Sequence, residues 1–262
     1  MIVLLLVLVG LALGSFVNAL VWRLHEGRDW VRERSECTHC HHPLAAKDLI
    51  PIVSWLLLRG KCRYCGKIIQ DTPLPELAVP ALFVLSYYFW PATLTGRGLF
   101  DFIVWLGLLV GFVALALYDI KWFLLPDVIV FPMICLALLQ VAGDWLLFNH
   151  SWHELSGPGI GVLIISGSFF ALHYFSKGQW IGFGDVKLGV ILGLLAGGAL
   201  PALLVLLSSS LLGTLVALPL VIQGKANRKS HLPFGPLLIV GMILVELFGS
   251  GVIDWYMRLF TA

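Results

Sequence analysis

Apolar runs of about twenty residues recur along almost the whole chain, and polar positions gather in the gaps between them. A helix needs ~20 residues to cross the hydrocarbon core of a bilayer. The runs therefore predict eight helical spans, at about 1–22, 74–92, 100–119, 124–147, 157–176, 184–200, 202–222 and 233–251. Such boundaries carry a tolerance of ~2–4 residues. The first run has no basic n-region, and Gly14-Ser15-Phe16-Val17-Asn18 continues into apolar sequence before Arg23, so it reads as a retained helix and not a cleaved signal peptide. The pattern predicts an all-α polytopic membrane protein in three parts. A first transmembrane helix covers 1–22, a soluble loop module 23–72, and a seven-helix transmembrane domain 73–262.

Composition agrees: 59% of the 262 residues are hydrophobic, only 12% are charged, and the mean hydropathy is +0.94. A soluble domain carries about 25% charged residues. The net charge of +2 says less than its placement. No basic stripe interleaved with aromatics appears, which argues against a nucleic-acid partner. If 23–72 is cytoplasmic, eight alternating spans put Lys121, Lys177, Lys187, Lys225, Arg228 and Lys229 on the same side as that loop. Fifteen of the seventeen Lys and Arg residues then lie inside, leaving only Arg97 and Arg258 outside. Both termini are thereby expected outside. Asp119, ending the third span, and Asp185, opening the sixth, are expected level with each other at the cytoplasmic face.

The soluble module contains Cys37-Thr38-His39-Cys40 and, twenty-one residues on, Cys62-Arg63-Tyr64-Cys65-Gly66. Two Cys-x-x-Cys knuckles present four thiolates that can close tetrahedrally on zinc, and Gly66 permits the tight turn a knuckle needs. A reducing cytoplasm argues against stable disulfides. Redox thiols and unliganded cysteines are the remaining alternatives. A loop of this size has too little apolar surface to fold alone, so a metal would supply its core. His39, His41 and His42 are competing donors, although four cysteines suffice without them. Cys135, in an apolar span, reads as packing.

Ionisable side chains at membrane depth cost at least ~2.5–3.5 kcal/mol, so Asp119 in Tyr118-Asp119-Ile120-Lys121 and Asp185 in Gly182-Phe183-Gly184-Asp185-Val186-Lys187 need a reason. Two carboxylates in a poorly solvated site share a proton, so that one activates water while the other polarises a carbonyl. Gly182 and Gly184 would let a substrate backbone approach Asp185. Helix capping or interfacial solvation is the alternative. Lys187 and Lys121 can stabilise charge or anchor helices at headgroups. Asp127, in Leu125-Pro126-Asp127, reads as a helix start, with capping or substrate binding as its role. Asp101, Asp144 and Asp254 read as solvated outer ends, and His173 and Glu246 as hydrogen-bonded packing. Ser208-Ser209-Ser210 suits helix packing, and neither a Gly-x-Ser-x-Gly elbow nor a His-Glu-x-x-His motif occurs. A proton-coupled transporter and a zinc-stabilised secretion assembly platform are the two non-protease alternatives.

In order along the chain, these motifs resemble the bacterial type IV prepilin peptidases, intramembrane aspartyl proteases that include those of type II secretion. The resemblance is carried by Gly14-Ser15-Phe16-Val17-Asn18, Trp22-Arg23-Leu24, both cysteine knuckles, Leu49-Ile50-Pro51-Ile52-Val53-Ser54-Trp55 and Arg59-Gly60-Lys61-Cys62. It continues through Tyr118-Asp119, Leu125-Pro126-Asp127, Gly182 to Gly189 and Pro233-Phe234-Gly235-Pro236. Thr38, where a Pro is common, and Tyr118, where an aliphatic residue is usual, are its departures. It implies an enzyme of the bacterial inner membrane that removes the basic leader of prepilins or pseudopilins after a Gly, on the cytoplasmic side. Asp119 and Asp185 would be the catalytic pair, with Asp127, Gly182, Gly184 and Lys187 as auxiliary candidates. It also implies methylation of the new N-terminal residue, usually Phe, with S-adenosylmethionine as donor at a site whose residues the motifs do not name.

Overall fold

The computed structural model describes residues 1–30, 32, 34–69, 72–148, 152–224 and 232–261. The basic residues Lys225, Arg228 and Lys229 of the second basic loop, and Ala262, lie outside the described residues. The α-helices are α1 (Ile2–His25), α2 (Val53–Leu57), α3 (Leu74–Phe89), α4 (Arg97–Trp122), α5 (Asp127–Gly143), α6 (Trp152–Ser176), α7 (Phe183–Ala196), α8 (Ala199–Ile222) and α9 (Phe234–Thr261). Among the described residues β pairing is limited to two isolated bridges, so the all-α class holds.

Every predicted span is a helix. Six are long and apolar enough to cross a bilayer: α1, α4, α5 with the π-turn that extends it to Phe148, α6, α8 and α9. The other two, α3 and α7, have 16 and 14 residues. At 1.5 Å per residue α7 is about 21 Å long, short of a ~30 Å hydrocarbon core. Two boundaries differ from the hydropathy reading. Helix α9 continues well past 251, because exposed Asp254, Trp255 and Arg258 end an apolar run without ending a helix. The α7–α8 junction falls at Gly197, whose φ of +64° closes α7, and not at 200–202.

The chain divides into two compact units, Met1–Tyr88 and Phe89–Ala262. In the first, Gly14 lies against the Pro75 carbonyl, and a Cβ at Gly10 would sit 2.6 Å from Pro80 Cα. Only a residue without a side chain admits α3 that close to α1. One turn further along α1, Asn18 Nδ2 donates to the Thr72 carbonyl at 3.0 Å and holds the start of α3 in place.

In the second unit α4 is the buried strut. Trp105, Leu108, Leu109, Phe112 and Leu115 are all essentially inaccessible, which accords with a helix that is apolar on every side. Helix α7 is fixed against α6 by a small-residue seam in which Gly161 meets Gly193 and Gly157 meets Gly197. The Ser166 hydroxyl donates to the Val186 carbonyl at 2.9 Å, and His173 Nδ1 lies 2.8 Å from the Ile181 carbonyl. Together these set the height at which α7 begins. Ser208, Ser209 and Ser210 bond back to carbonyls of α8, and Ser209 packs against Gly241 of α9, the packing role expected of them. Leu207, Leu211, Leu215 and Ile222 of α8 stay exposed, as suits a lipid-facing helix.

The far ends of α4 and α5 correct one expectation. Asp101 and Asp144 are not solvated, their side chains being 16% and 19% exposed, and Arg97 binds both: Nε lies 3.0 Å from Asp144 Oδ1 and 3.7 Å from Asp101 Oδ2. Each acid ends an apolar run in sequence, but the fold brings these ends together around one guanidinium.

Candidate active site

The cysteine module is built twice over. In the first knuckle Cys37 N–H donates to the His42 carbonyl, and in the second Cys62 N–H donates to the Lys67 carbonyl. The His39 and Tyr64 amides donate to the sulfurs of Cys37 and Cys62, both at 3.4 Å. Each knuckle turns through a left-handed residue, His41 at φ +55° and Gly66 at φ +70°, so the role assigned to Gly66 is met and its counterpart is not a glycine. The ligand atoms of Cys37, Cys40, Cys62 and Cys65 all lie within 4.8 Å of one another, with Cys37 and Cys65 sulfurs 3.9 Å apart. Tetrahedral Zn–S bonds of 2.3 Å put sulfurs about 3.8 Å apart, so the four fit such an ion.

Two of the three histidines, His41 and His42, are engaged elsewhere. His41 Nδ1 lies 3.1 Å from Glu36 Oε1, while His42 stacks on Tyr64 with centroids 3.7 Å apart. Arg63 Nε donates to Asp48 Oδ1 at 2.6 Å and Tyr64 donates to Asp48 Oδ2 at 3.1 Å, tying the second knuckle to the segment between the two. The Arg63 guanidinium, aided by the Tyr64 hydroxyl, holds the Asp48 carboxyl below the usual carboxylate range.

In the second unit a cavity of about 650 Å³ is lined by Asp119, Phe123, Trp180, Ile181, Gly182, Asp185, Leu232, Pro233 and Phe234. Two carboxylates thus meet in a space whose other walls are apolar or glycine. Asp119 stands three residues before the end of α4, and Asp185 is the third residue of α7. Both are near helix ends and not mid-span, where a transporter would place a proton relay. Phe123 closes α4 in the left-handed conformation, donating to the Asp119 carbonyl at 2.8 Å.

Asp119 is buried, and its Oδ2 accepts the Gly235 N–H at 3.2 Å. Gly182 is the N-cap residue of α7 and has no side chain to cap it, but the carboxylate of Asp185, three residues on, takes a hydrogen bond from the Gly182 N–H, so capping and a place in the cavity are compatible roles for Asp185. Gly182 lines the cavity, and a Cβ there would meet nothing nearer than 3.8 Å. Gly184 differs: its missing side chain leaves room for Leu125, 3.1 Å from a Cβ there, and not for a substrate.

Leu125-Pro126-Asp127 is the helix start expected, with Asp127 the first residue of α5, but Asp127 does not cap it. Its Oδ1 instead accepts from Lys187 Nζ at 2.6 Å. Lys187 also lies over the rings of Phe131 and Phe183. This pair joins the starts of α5 and α7 beside the cavity, a role the sequence did not suggest for either residue.

Sequence reasoning gave Gly235 no role, although Pro233-Phe234-Gly235-Pro236 was visible as a motif. A Cβ at Gly235 would lie 2.7 Å from Asp119 Oδ2. Gly235→Ala is therefore expected to displace that carboxylate and lower the reaction rate by roughly 100-fold, since misplacement by 1 Å can cost that much. Gly182→Ala leaves Asp119 in place, so Gly235→Ala should be the more damaging when turnover and membrane level are measured together. Equal activity in the two variants would remove Gly235 from the site.

Residues 8–90 match the bacterial peptidase A24 N-terminal domain and residues 105–218 match the type IV leader peptidase family, almost wholly one in each compact unit. The chain is similar to the prepilin leader peptidase/N-methyltransferase of Aeromonas hydrophila, with 31% identity covering 97% of this chain and 93% of that one. The protein of that name from Pseudomonas aeruginosa is 31% identical over 96% of this chain and 92% of its own. The one from Bacillus subtilis is 30% identical over 95% and 96%. No solved structure matches. With two carboxylates meeting between α4 and α7, apolar helices long enough to cross a bilayer, and relatives that align over nearly its full length, the chain belongs to the type IV leader peptidase family of multi-pass membrane proteins.

Proposed function

We propose that this enzyme removes the basic leader of type IV prepilins or type II secretion pseudopilins after a Gly, using Asp119 and Asp185 as one proton-sharing pair. The observation that carries the reading is their convergence, from α4 and α7, on one otherwise apolar cavity. Asp119, whose Oδ2 accepts the Gly235 N–H, acts as the base that takes a proton from water. Asp185, protonated, donates to the scissile carbonyl oxygen. As the C–N bond breaks, the proton held by Asp119 passes to the departing nitrogen, Asp185 takes a proton back from the diol hydroxyl as the carbonyl re-forms, and the pair again shares a single proton. The Lys187–Asp127 pair holds the first turns of α5 and α7 in register and leaves the chemistry to the other two acids. Incubating purified protein in detergent with a prepilin peptide, and locating the cut by mass spectrometry, tests this directly; a cut elsewhere than after a Gly at the leader boundary counts against it.

The same proposal places one structural zinc on Cys37, Cys40, Cys62 and Cys65, supported by the mutual distances of their sulfurs. It assigns zinc binding to the loop 23–72 and peptide cleavage to the helices that follow. Bound adenosylmethionine would supply a methyl group to the amine that cleavage frees. The inner membrane is the proposed location, with the active site at the cytoplasmic face, on the strength of the fifteen basic residues that one orientation gathers. A reporter fused after Lys67 should read cytoplasmic and one fused at Ala262 should read outside. Identical sidedness at both points would break the eight-span topology.

A further inference from the structure

The turn between α6 and α7 carries Ile181 and Gly182, which line the cavity where the two acids meet, and it leads three residues later into Asp185. Lys177 and Gly178 both stand in the left-handed conformation, with φ of +52° and +79°, so the chain reverses sharply at the end of α6. For Lys177 this is a conformation that L side chains rarely adopt, and it persists only where the surroundings over-determine it. The near half of the turn is closed locally. Gly178 N–H donates to the His173 carbonyl at 2.9 Å, and Trp180 N–H donates to Ser176 Oγ at 3.2 Å. The far half is held by the imidazole: His173 Nδ1 lies 2.8 Å from the Ile181 carbonyl, and its ring lies 5.5 Å from that of Phe183, centroid to centroid. Gly178 makes room for that ring, since a Cβ there would lie 3.3 Å from His173 Cε1.

We infer that His173 is a positioning residue for peptide cleavage: by donating from Nδ1 to the Ile181 carbonyl, it fixes the turn that sets Gly182 and Asp185 at the cavity. The inference rests on the proposed pairing of Asp119 with Asp185. A carbonyl oxygen can only accept, so Nδ1 carries the proton, and Nε2 can gain or lose one without breaking the contact. The contact is therefore indifferent to pH, unlike that of a histidine that moves protons in the reaction. Nor does it hold the helices together. The glycine seam and the bond from Ser166 to the Val186 carbonyl fasten α6 to α7 elsewhere along both, so loss of the imidazole donor loosens the turn and leaves the helix pair intact.

The test uses the full chain in detergent with a prepilin peptide, and reads kcat across pH together with hydrogen exchange of the 177–185 amides. His173→Leu removes the donor. It should lower kcat by roughly tenfold or more, since misplacement by 1 Å can cost about 10²-fold, and those amides should exchange faster. His173→Asn places its amide nitrogen two bonds from Cβ, as Nδ1 is, and should recover most of the parent's kcat with the pH profile unshifted. Membrane level should equal the parent's in both. Should His173→Leu fail to accumulate, His173→Phe supplies a ring without the donor and takes its place, with the same loss expected. Parent kcat in the variant without a donor, or an Asn variant as slow as that one, overturns the positioning role. A limb lost from the pH profile of His173→Asn also overturns it, in favour of proton transfer by His173 itself. In all three cases the parent still cuts, so the cleavage reading survives. A parent protein that cuts no prepilin peptide overturns that underlying reading, and the role of His173 with it.

Discussion

Asp119→Asn, Asp185→Asn and the double variant are all expected to bring prepilin cleavage to near background, a loss of roughly 10²–10⁴-fold or more. Asn keeps the size of Asp and can still accept the Gly235 N–H, so the fold around Asp119 should survive. What Asn cannot do is exchange the proton that the pair must share. The double variant should be no worse than either single one, because losses within one catalytic unit do not add. Asp127→Asn provides the contrast. Asp127 is 53% exposed and its partnership with Lys187 is an ion pair at a helix start, an arrangement worth about 0–1 kcal/mol. Most activity should remain. Each variant must first be shown to insert into the membrane and to match the parent's metal content. A dead Asp127→Asn beside an active Asp119→Asn would make Asp127 the partner of Asp185 and refute the present assignment.

What the sequence disclosed and what it withheld follow from the range of the interactions involved. The helices were legible because an apolar run of span length leaves the backbone in lipid few options other than a helix. The cysteine knuckles were legible because Cys-x-x-Cys places both ligands in one turn. Even there a helix end could mislead. Gly197 stops α7 by its left-handed conformation, which hydropathy does not register, and the polar face of the last turns of α9 looked like the end of a span. Contacts between distant segments left no local trace. Lys187 meets Asp127 across 60 residues and Gly235 meets Asp119 across 116. The gathering of Asp101 and Asp144 on Arg97 was hidden for the same reason, as was the division of labour between Gly182, which faces the cavity, and Gly184, which makes room for Leu125. The two acids are expected together from sequence because each is costly at membrane depth and because the motifs resemble, in order, those of the type IV prepilin peptidases.

Replacing a single knuckle cysteine should unfold the module around it, and this separates structural zinc from redox thiols. The four sulfurs lie at mutual distances suited to one tetrahedral ion, and among the described residues of the module between α1 and α3 Cys37 and Cys62 are the buried apolar side chains, so little besides the cysteines could form a core. Structural zinc contributes an apparent 10–16 kcal/mol in small metal-folded units, comparable to the whole stability of an ordinary domain. Cys62→Ser should therefore drop bound zinc from one per chain to well below one and expose 23–72 to protease, and the amount of enzyme in the membrane should fall. A strong chelator should have the same effect on the parent, reversed by added zinc. Redox thiols predict another outcome, in which Cys62→Ser stays folded and resists protease while activity in the parent follows the thiol–disulfide balance of the buffer. Elemental analysis comes first, on protein purified without chelator. Well under one zinc per chain, with 23–72 still protease-resistant, would leave the module's fold to be explained by its hydrogen bonds and by the Asp48 clamp on Arg63 and Tyr64.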